Sequence, residues 1–438
     1  MTPGPSTTRT LIVLGALQLG LLAVLGWVPA AHRFPFPGLA LFGAAFIAYA
    51  LAARHLVRSD SVAAVGLIWL FAIAMRLALF PLTPVLSDDV YRYLWDGHVW
   101  LSGTNPYLYA PAAAELEGLR TAFHHLINNP TVPTIYPPLA QAAFLLVAAL
   151  GSSIAVAKAL WLACDLGTAV VLARIARETG RRADLVLLLY LWAPLLVVEV
   201  AWSAHLEPLG LLPMSLAILW ARRASRTVDA RASLAAGAAL ALSALTKFAP
   251  IAALPALARR LAWRLAWRPV VAFAVVTGIL YLPFVNAGSH LFDGLRTYGE
   301  QWWFMKGAFG LVEFAVGDPD TARRIVAVAI VAVVTGTVFA RFDLERALLW
   351  VLGAGMILTP TLHPWYVLWM LPMAALRGAR AWLLLSGLAF LGYFGASAYQ
   401  ETGVWPQPAA VRSALWIPFL VVLALDAGRS LRADEALT

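Results

Sequence analysis

Apolar runs of membrane-spanning length recur along almost the whole chain, and they constrain its fold more than any other feature. A helix needs about 20 predominantly apolar residues to cross the hydrocarbon core. Segments 11–31, 39–57, 62–82, 153–174, 183–200, 208–222, 232–258, 267–286, 322–341, 345–376, 380–399 and 410–428 meet or approach that length. Two of them, 232–258 and 345–376, carry a polar break, at Thr246-Lys247 and at Thr359-Pro360-Thr361-Leu362-His363, so each reads as two helices joined at the membrane surface. Segment 137–150 is apolar but short and opens on Pro137-Pro138, which suits a partial or re-entrant helix. The first run is longer than the roughly 7–15 residues of a signal-peptide core, so it reads as a first transmembrane helix. The expected fold is an all-α polytopic membrane protein, a single domain over 1–438 with a bundle of 12 to 14 transmembrane helices.

Composition agrees. With 61% hydrophobic and 13% charged residues in 438, the chain lacks the charge to coat a soluble body of that size. A net charge of +9 could suggest a nucleic-acid partner. The basic residues instead fall as short clusters between apolar runs: Arg54/Arg58, Arg174/Arg177/Arg181/Arg182, Arg222/Arg223/Arg226, Arg259/Arg260/Arg264/Arg268, Arg377/Arg380 and Arg429/Arg432. Cytoplasmic loops of membrane proteins have this pattern, and nucleic-acid binding is excluded by it. The single cysteine, Cys164, lies in an apolar run, so no intrachain disulfide can form and the residue reads as core.

If the arginine clusters face the cytoplasm, then 83–136, 201–207, the turn at Lys247, 287–321, the turn at His363 and 400–409 all face the other side. Asp88/Asp89, His205/Glu207, Lys247, Glu300 and His363 thereby fall on one face. Arg323 and Arg324 land there too, against the rule, and residues 137–182 must cross once. The largest of these loops, 83–136, is punctuated by Gly and Pro; the second, 287–321, carries Trp302-Trp303-Phe304 beside Lys306, a mixture suited to the interface.

The first loop opens with the densest charge in the chain, Ser87-Asp88-Asp89-Val90-Tyr91-Arg92-Tyr93-Leu94-Trp95-Asp96-Gly97-His98. Ser87 reads as an N-cap with Asp88 and Asp89 in the first helical turn, where the helix dipole favours negative charge. Asp89, Tyr93 and Asp96 then share a face. A carboxylate held there can act as general base on a hydroxyl or bind a cation, and the neighbouring aromatics suit sugar stacking as well as membrane anchoring. His205 and Glu207 lie between two apolar runs, where polar groups are costly unless they serve a function. Lys247, in an apolar setting, suits an anion such as phosphate, as does His363 ahead of Pro364-Trp365-Tyr366. Each of these also fits a cap or an interfacial residue; together they suit transfer of a sugar from a lipid phosphate.

In these residues the chain resembles the GT-C superfamily of membrane glycosyltransferases that use polyprenyl-phosphate sugars. Ser87-Asp88-Asp89-Val90-Tyr91-Arg92-Tyr93, then Gly103-Thr104-Asn105-Pro106-Tyr107, looks like the first-loop signature of the bacterial polyprenyl-phosphomannose-dependent α-mannosyltransferases, and Ile135-Tyr136-Pro137-Pro138-Leu139 like its end. Lys158 with Asp165-Leu166, Trp192-Ala193-Pro194, His205-Leu206-Glu207 and Thr246-Lys247-Phe248-Ala249-Pro250 are similar to stretches of the GPI mannosyltransferase I catalytic subunit. The family's usual Asp-x-Asp is replaced, Ser87 taking the first place, and the register from Gly103 makes Asp89 the base and Asp88 its helper. The resemblance implies a GT-C-like bundle with a large first extracytoplasmic loop in the bacterial inner (plasma) membrane. It implies inverting transfer of a hexose, mannose by preference, from a polyprenyl phosphate to a lipid or glycan hydroxyl on the extracytoplasmic face, with no metal and no cofactor. Lys247, His363 and Arg92 would meet the donor phosphate, and His205, Glu207, Tyr93, Asp96, Tyr136, Trp365 and Tyr366 the substrates. The alternative is a transporter or flippase of lipid-linked sugars, against which stands the gathering of polar residues at one face instead of in two repeated halves.

Overall fold

A computed structural model of the chain describes residues 4–28, 36–59 and 63–435. The tail of the first apolar run (29–31) and residue 62 lie outside the described residues, as do the side chains of Arg429 and Arg432. The described residues are helical with no strand; the sole bridge is a parallel pairing of Phe304 with Thr361. The protein is a polytopic all-α membrane protein.

Seven described helices are long and apolar enough to cross a membrane: Pro5–Trp27, Phe36–Arg58, Ile154–Glu178, Trp267–Gln301, Pro319–Phe339, Arg380–Tyr399 and Ala409–Ala427. An eighth would be the pair Ala183–Leu191 and Pro194–Trp202, bent by 54°. The remaining apolar runs expected from the sequence form shorter or interrupted helices. Val65–Leu79 and Ala230–Ala244 have 15 residues each, and the run over 345–376 splits into Leu344–Leu358, a 3-10 turn Pro364–Met370 and Leu371–Arg377. Proline explains much of the splitting, because it lacks the N–H that would continue the ladder and crowds the preceding turn. Pro194, Pro208, Pro250, Pro255, Pro364 and Pro372 each stand within two residues of a helix start.

Three helical segments connect two chemically different ends of the bundle. Glu207–Thr227 runs from Glu207 to Arg222 and Arg226; Leu344–Leu358 runs from Glu345 toward His363; and Pro364–Arg377 returns from Trp365 to Arg377. At the arginine end, Glu345 is fully buried and accepts from Arg181 (3.0 Å), Arg222 (3.5 Å) and Arg377 (3.2 Å), so three separate sequence clusters meet on one carboxylate. At 1.5 Å per residue, the 15 residues from Glu207 to Arg222 put that knot about 22 Å from the Glu207 end.

The first loop builds a helical hairpin at the Glu207 end. Asp89–Leu101 packs against Pro138–Ala149, and Gly97 is where they touch: a Cβ there would lie 2.1 Å from the carbonyl oxygen of Phe144. Pro138–Ala149 has 12 residues, about 18 Å, too short to cross. The next helix starts beside the same loop, Lys158 Nζ donating to the carbonyls of Phe80 (3.0 Å) and Leu82 (2.6 Å), so residues 137–182 traverse the bundle once. Arg323, anomalous by the charge rule, is paired with Asp320 (2.7 Å) and donates to the Glu300 carbonyl in the second loop.

A buried ion pair ties the loop's support together. Arg76 Nε donates to Asp165 at 2.6 Å, and Arg76 Nη1 reaches the carbonyls of Ala72 and Leu191. Asp165→Ala strands a guanidinium among apolar side chains and is expected to destabilise the fold by about 3–5 kcal/mol. Replacing both residues with Leu should recover much of that loss; equal unfolding midpoints for the single and double variants would refute the pairing's role.

Candidate active site

The Asp89–Leu101 helix starts one residue later than the sequence suggests: Asp88 is the N-cap, while the Ser87 hydroxyl accepts from the Asp89 amide at 3.3 Å. Asp89 Oδ1 accepts from Asn128 Nδ2 at 2.9 Å, a partner from the far side of the same loop. Burial pushes the Asp89 carboxyl above the usual carboxylate range, while Asn128, Lys247 and Arg92 draw it back. Asp88 is raised too, by burial and then by the charge of Asp89. One helical turn on, Arg92 Nε pairs with Asp96 at 2.8 Å, and Arg92 Nη1 donates to the Val132 carbonyl at 3.0 Å, which fastens the end of the loop to the helix. Asp96 also accepts from Thr134 (2.5 Å) and Gln141 (3.1 Å), so its carboxylate is fully engaged in the protein.

The facing wall comes from the turns at Lys247 and His363. Lys247 Nζ donates to the buried Glu207 carboxylate and lies 4.7 Å from the Tyr366 ring centre. His363 stacks between Phe304 (4.6 Å) and Trp365 (4.4 Å), and Trp365 stacks in turn on His205 (4.0 Å), giving a column of four rings. Backbone bonds from the Phe304 amide to Pro360 O (2.9 Å) and from the Leu362 amide to Phe304 O (2.8 Å) hold the column's outer ring in register. Burial, then the Lys247 charge, hold the His363 imidazole down to about 3, so it is neutral here and offers hydrogen bonds instead of positive charge.

Between these walls lies a cavity of about 1120 Å³. Of the residues expected from the sequence, Asp88, Asp89, Arg92, Tyr136, Lys247, His363, Trp365 and Tyr366 line it. Tyr93, Asp96, His205 and Glu207 are not among its lining residues. Tyr93 is stacked on Phe144 at 4.8 Å, Asp96 is bound to Arg92, His205 is covered by Trp365, and Glu207 is held by Lys247. The four support the wall from behind. Each cation of the site thus arrives with its own carboxylate, Lys247 with Glu207 and Arg92 with Asp96, which limits the free positive charge the sequence suggested.

Other cavity residues escape a reading of local pattern. Asn128 lies in a turn-rich stretch, and Tyr298, whose hydroxyl meets that of Tyr366 at 2.6 Å, lies in the second loop. Tyr393, near the C-terminus, lines the cavity and donates to Glu199 at 2.7 Å. Glu199 did carry a signal, as one of two carboxylates, with Asp184, in the apolar run 183–200, where an ionisable group is costly. It sits in a π-helical turn, Val198–Trp202, followed by Ala204 at φ +61°, a local departure of the kind found at functional sites.

No curated protein and no solved structure matches the chain. Residues 8–264 match the MptA_B family, described as alpha-(1->6)-mannopyranosyltransferase, N-terminal domain. The matched part supplies the Asp89 helix, Asn128, Glu207 and Lys247, while His363, Tyr366 and Tyr393 come from beyond it. With more than half of its length matched, and with a large cavity that joins acidic, cationic and aromatic side chains, the chain belongs to the alpha-(1->6)-mannopyranosyltransferase family and is a membrane glycosyltransferase.

Proposed function

We propose that this mannosyltransferase takes mannose from a polyprenyl phosphate and transfers it to a hydroxyl of a lipid or glycan, with Asp89 as general base. The observation that carries the reading is Asp89 itself: a buried carboxylate on the cavity wall, oriented by Asn128 and within the field of Lys247. The acceptor oxygen attacks C1 of the mannosyl group while its proton passes to Asp89. The C1–O bond to phosphate breaks, and its electron pair leaves with the phosphate. A phosphate leaving group needs charge stabilisation more than protonation, which suits Lys247 and, as a neutral donor, His363. One displacement inverts C1, so the α-linkage named in the family description requires a β-linked mannosyl phosphate.

A lipid donor suits a cavity at one end of a membrane-spanning bundle, and stacked aromatics suit a sugar ring. The arginine knot on Glu345 marks the opposite end, which by the positive-inside rule is cytoplasmic; catalysis would then face the extracytoplasmic side of a bacterial inner membrane. The test is a donor comparison with the full-length chain in lipid. Polyprenyl-phosphate mannose should support transfer to an α-mannoside acceptor, and a nucleotide-diphosphate mannose should not. Turnover with the nucleotide sugar alone would overturn the donor assignment.

A further inference from the structure

A second, smaller cavity of about 180 Å³ opens at the arginine end, roughly a helix length from Asp89, and the transfer reaction makes no use of it. Arg222, Arg226 and Arg260 line it together with Ser225, Asp343 and apolar side chains such as Leu257 and Leu261. Arg222 Nη1 is 3.5 Å from Glu345 and 3.9 Å from Asp343, and Arg222 Nε is buried with no hydrogen-bond partner among the described residues. Arg226 donates to the Glu178 carbonyl (3.0 Å) and Arg260 to the Arg341 carbonyl (2.7 Å); among the described residues neither has a carboxylate within 4.0 Å. Two of the three guanidinium charges are therefore uncompensated.

The segment that follows Arg260 points to what compensates them. It reads Arg259-Arg260-Leu261-Ala262-Trp263-Arg264-Leu265-Ala266-Trp267-Arg268, with Leu261 and Leu265 buried and Trp263 and Trp267 exposed at 80% and 56%. Arg264 and Arg268 lie over the Trp263 and Trp267 rings, each 5.4 Å away. Indole rings turned outward beside guanidinium groups match the water–lipid boundary, where the ring meets acyl chains and the cation meets phosphate. We propose that this cavity binds the phosphate of an anionic lipid headgroup, gripped by Arg222, Arg226 and Arg260, with Trp263 against the glycerol and upper acyl region.

The test compares the full-length chain in nanodiscs of phosphatidylglycerol or phosphatidylcholine, with lipid retention read by native mass spectrometry. Wild type should retain phosphatidylglycerol about tenfold more tightly than phosphatidylcholine. The pair Arg226→Gln/Arg260→Gln should lose that preference while its unfolding midpoint in phosphatidylcholine stays at the wild-type value. Ser225→Glu, which adds a carboxylate on the exposed rim and removes no arginine, should lose it as well, so the outcome does not hang on one variant's folding. Equal retention of the two lipids by wild type, or full preference in Ser225→Glu, would overturn the proposal. Displacement of phosphatidylglycerol by millimolar inorganic phosphate alone would overturn the lipid assignment.

Discussion

Asp89→Asn is expected to lower mannosyl transfer by about 10²–10⁴-fold, the range general-base catalysis contributes, while the protein still inserts and purifies. The amide keeps the shape of the carboxylate and can still meet Asn128 after a flip, so the cavity survives and the base does not. Asp88→Asn should cost far less, because Asp88 stands at the N-cap position without a side-chain cap bond and, among the described residues, has no partner comparable to Asn128. As the proposed base, Asp89 is expected to set the acid limb of the pH profile. A base works only when ionised, and burial raises the Asp89 carboxyl, so the rate should fall as pH drops through a value above the ordinary carboxylate range near 4. Asn128→Ala removes a hydrogen bond to the ionised form and should move that limb to still higher pH. Near wild-type turnover by Asp89→Asn would remove Asp89 from the mechanism, and an unmoved limb in Asn128→Ala would remove Asn128 from its control.

Lys247→Ala has the second largest expected effect. The ammonium faces the cavity while tied to Glu207, so its removal takes away the proposed donor to phosphate and leaves a buried carboxylate unpaired. A charge-assisted hydrogen bond contributes about 1.5–3 kcal/mol, or roughly 10–100-fold in affinity, and the loss should fall on the lipid-phosphate donor. The KM for the acceptor should change little. Equal effects on both KM values would argue against a phosphate role. The double variant Lys247→Ala/Glu207→Gln should regain stability without regaining donor affinity, which separates the structural share of the pair from its binding share.

Much of this architecture was legible from apolar runs and charge alone. Span length is a property of local composition, and so are the breaks at Thr246-Lys247 and Thr359–His363, because an interruption of polar residues and proline ends a membrane helix wherever it occurs. The grouping of Asp89, Lys247 and His363 at one end also followed from counting crossings between arginine clusters. Helix number was less legible: hydropathy marks where apolar residues lie, but proline and bends decide whether they form one long helix or several short ones, as in Pro194–Trp202 and Pro364–Arg377.

The division within the site was decided by packing. Asp89 and Asp96 are both carboxylates on one helix, and nothing in their spacing tells which is free. Asp96 is consumed by Arg92, Thr134 and Gln141, whereas among the described residues the Asp89 carboxylate keeps Asn128 alone and faces the cavity. His205 and His363 likewise look alike in sequence, yet Trp365 covers one and leaves the other on the wall. By itself the sequence determined that the chain is a membrane-embedded helical bundle, with its acidic loop and polar turns gathered at one end. Those properties come from transfer free energies, which add along the chain. Which of the polar residues face the cavity is set by contacts between segments as far apart as Asn128, Lys247 and Tyr393, and only the tertiary structure decided it.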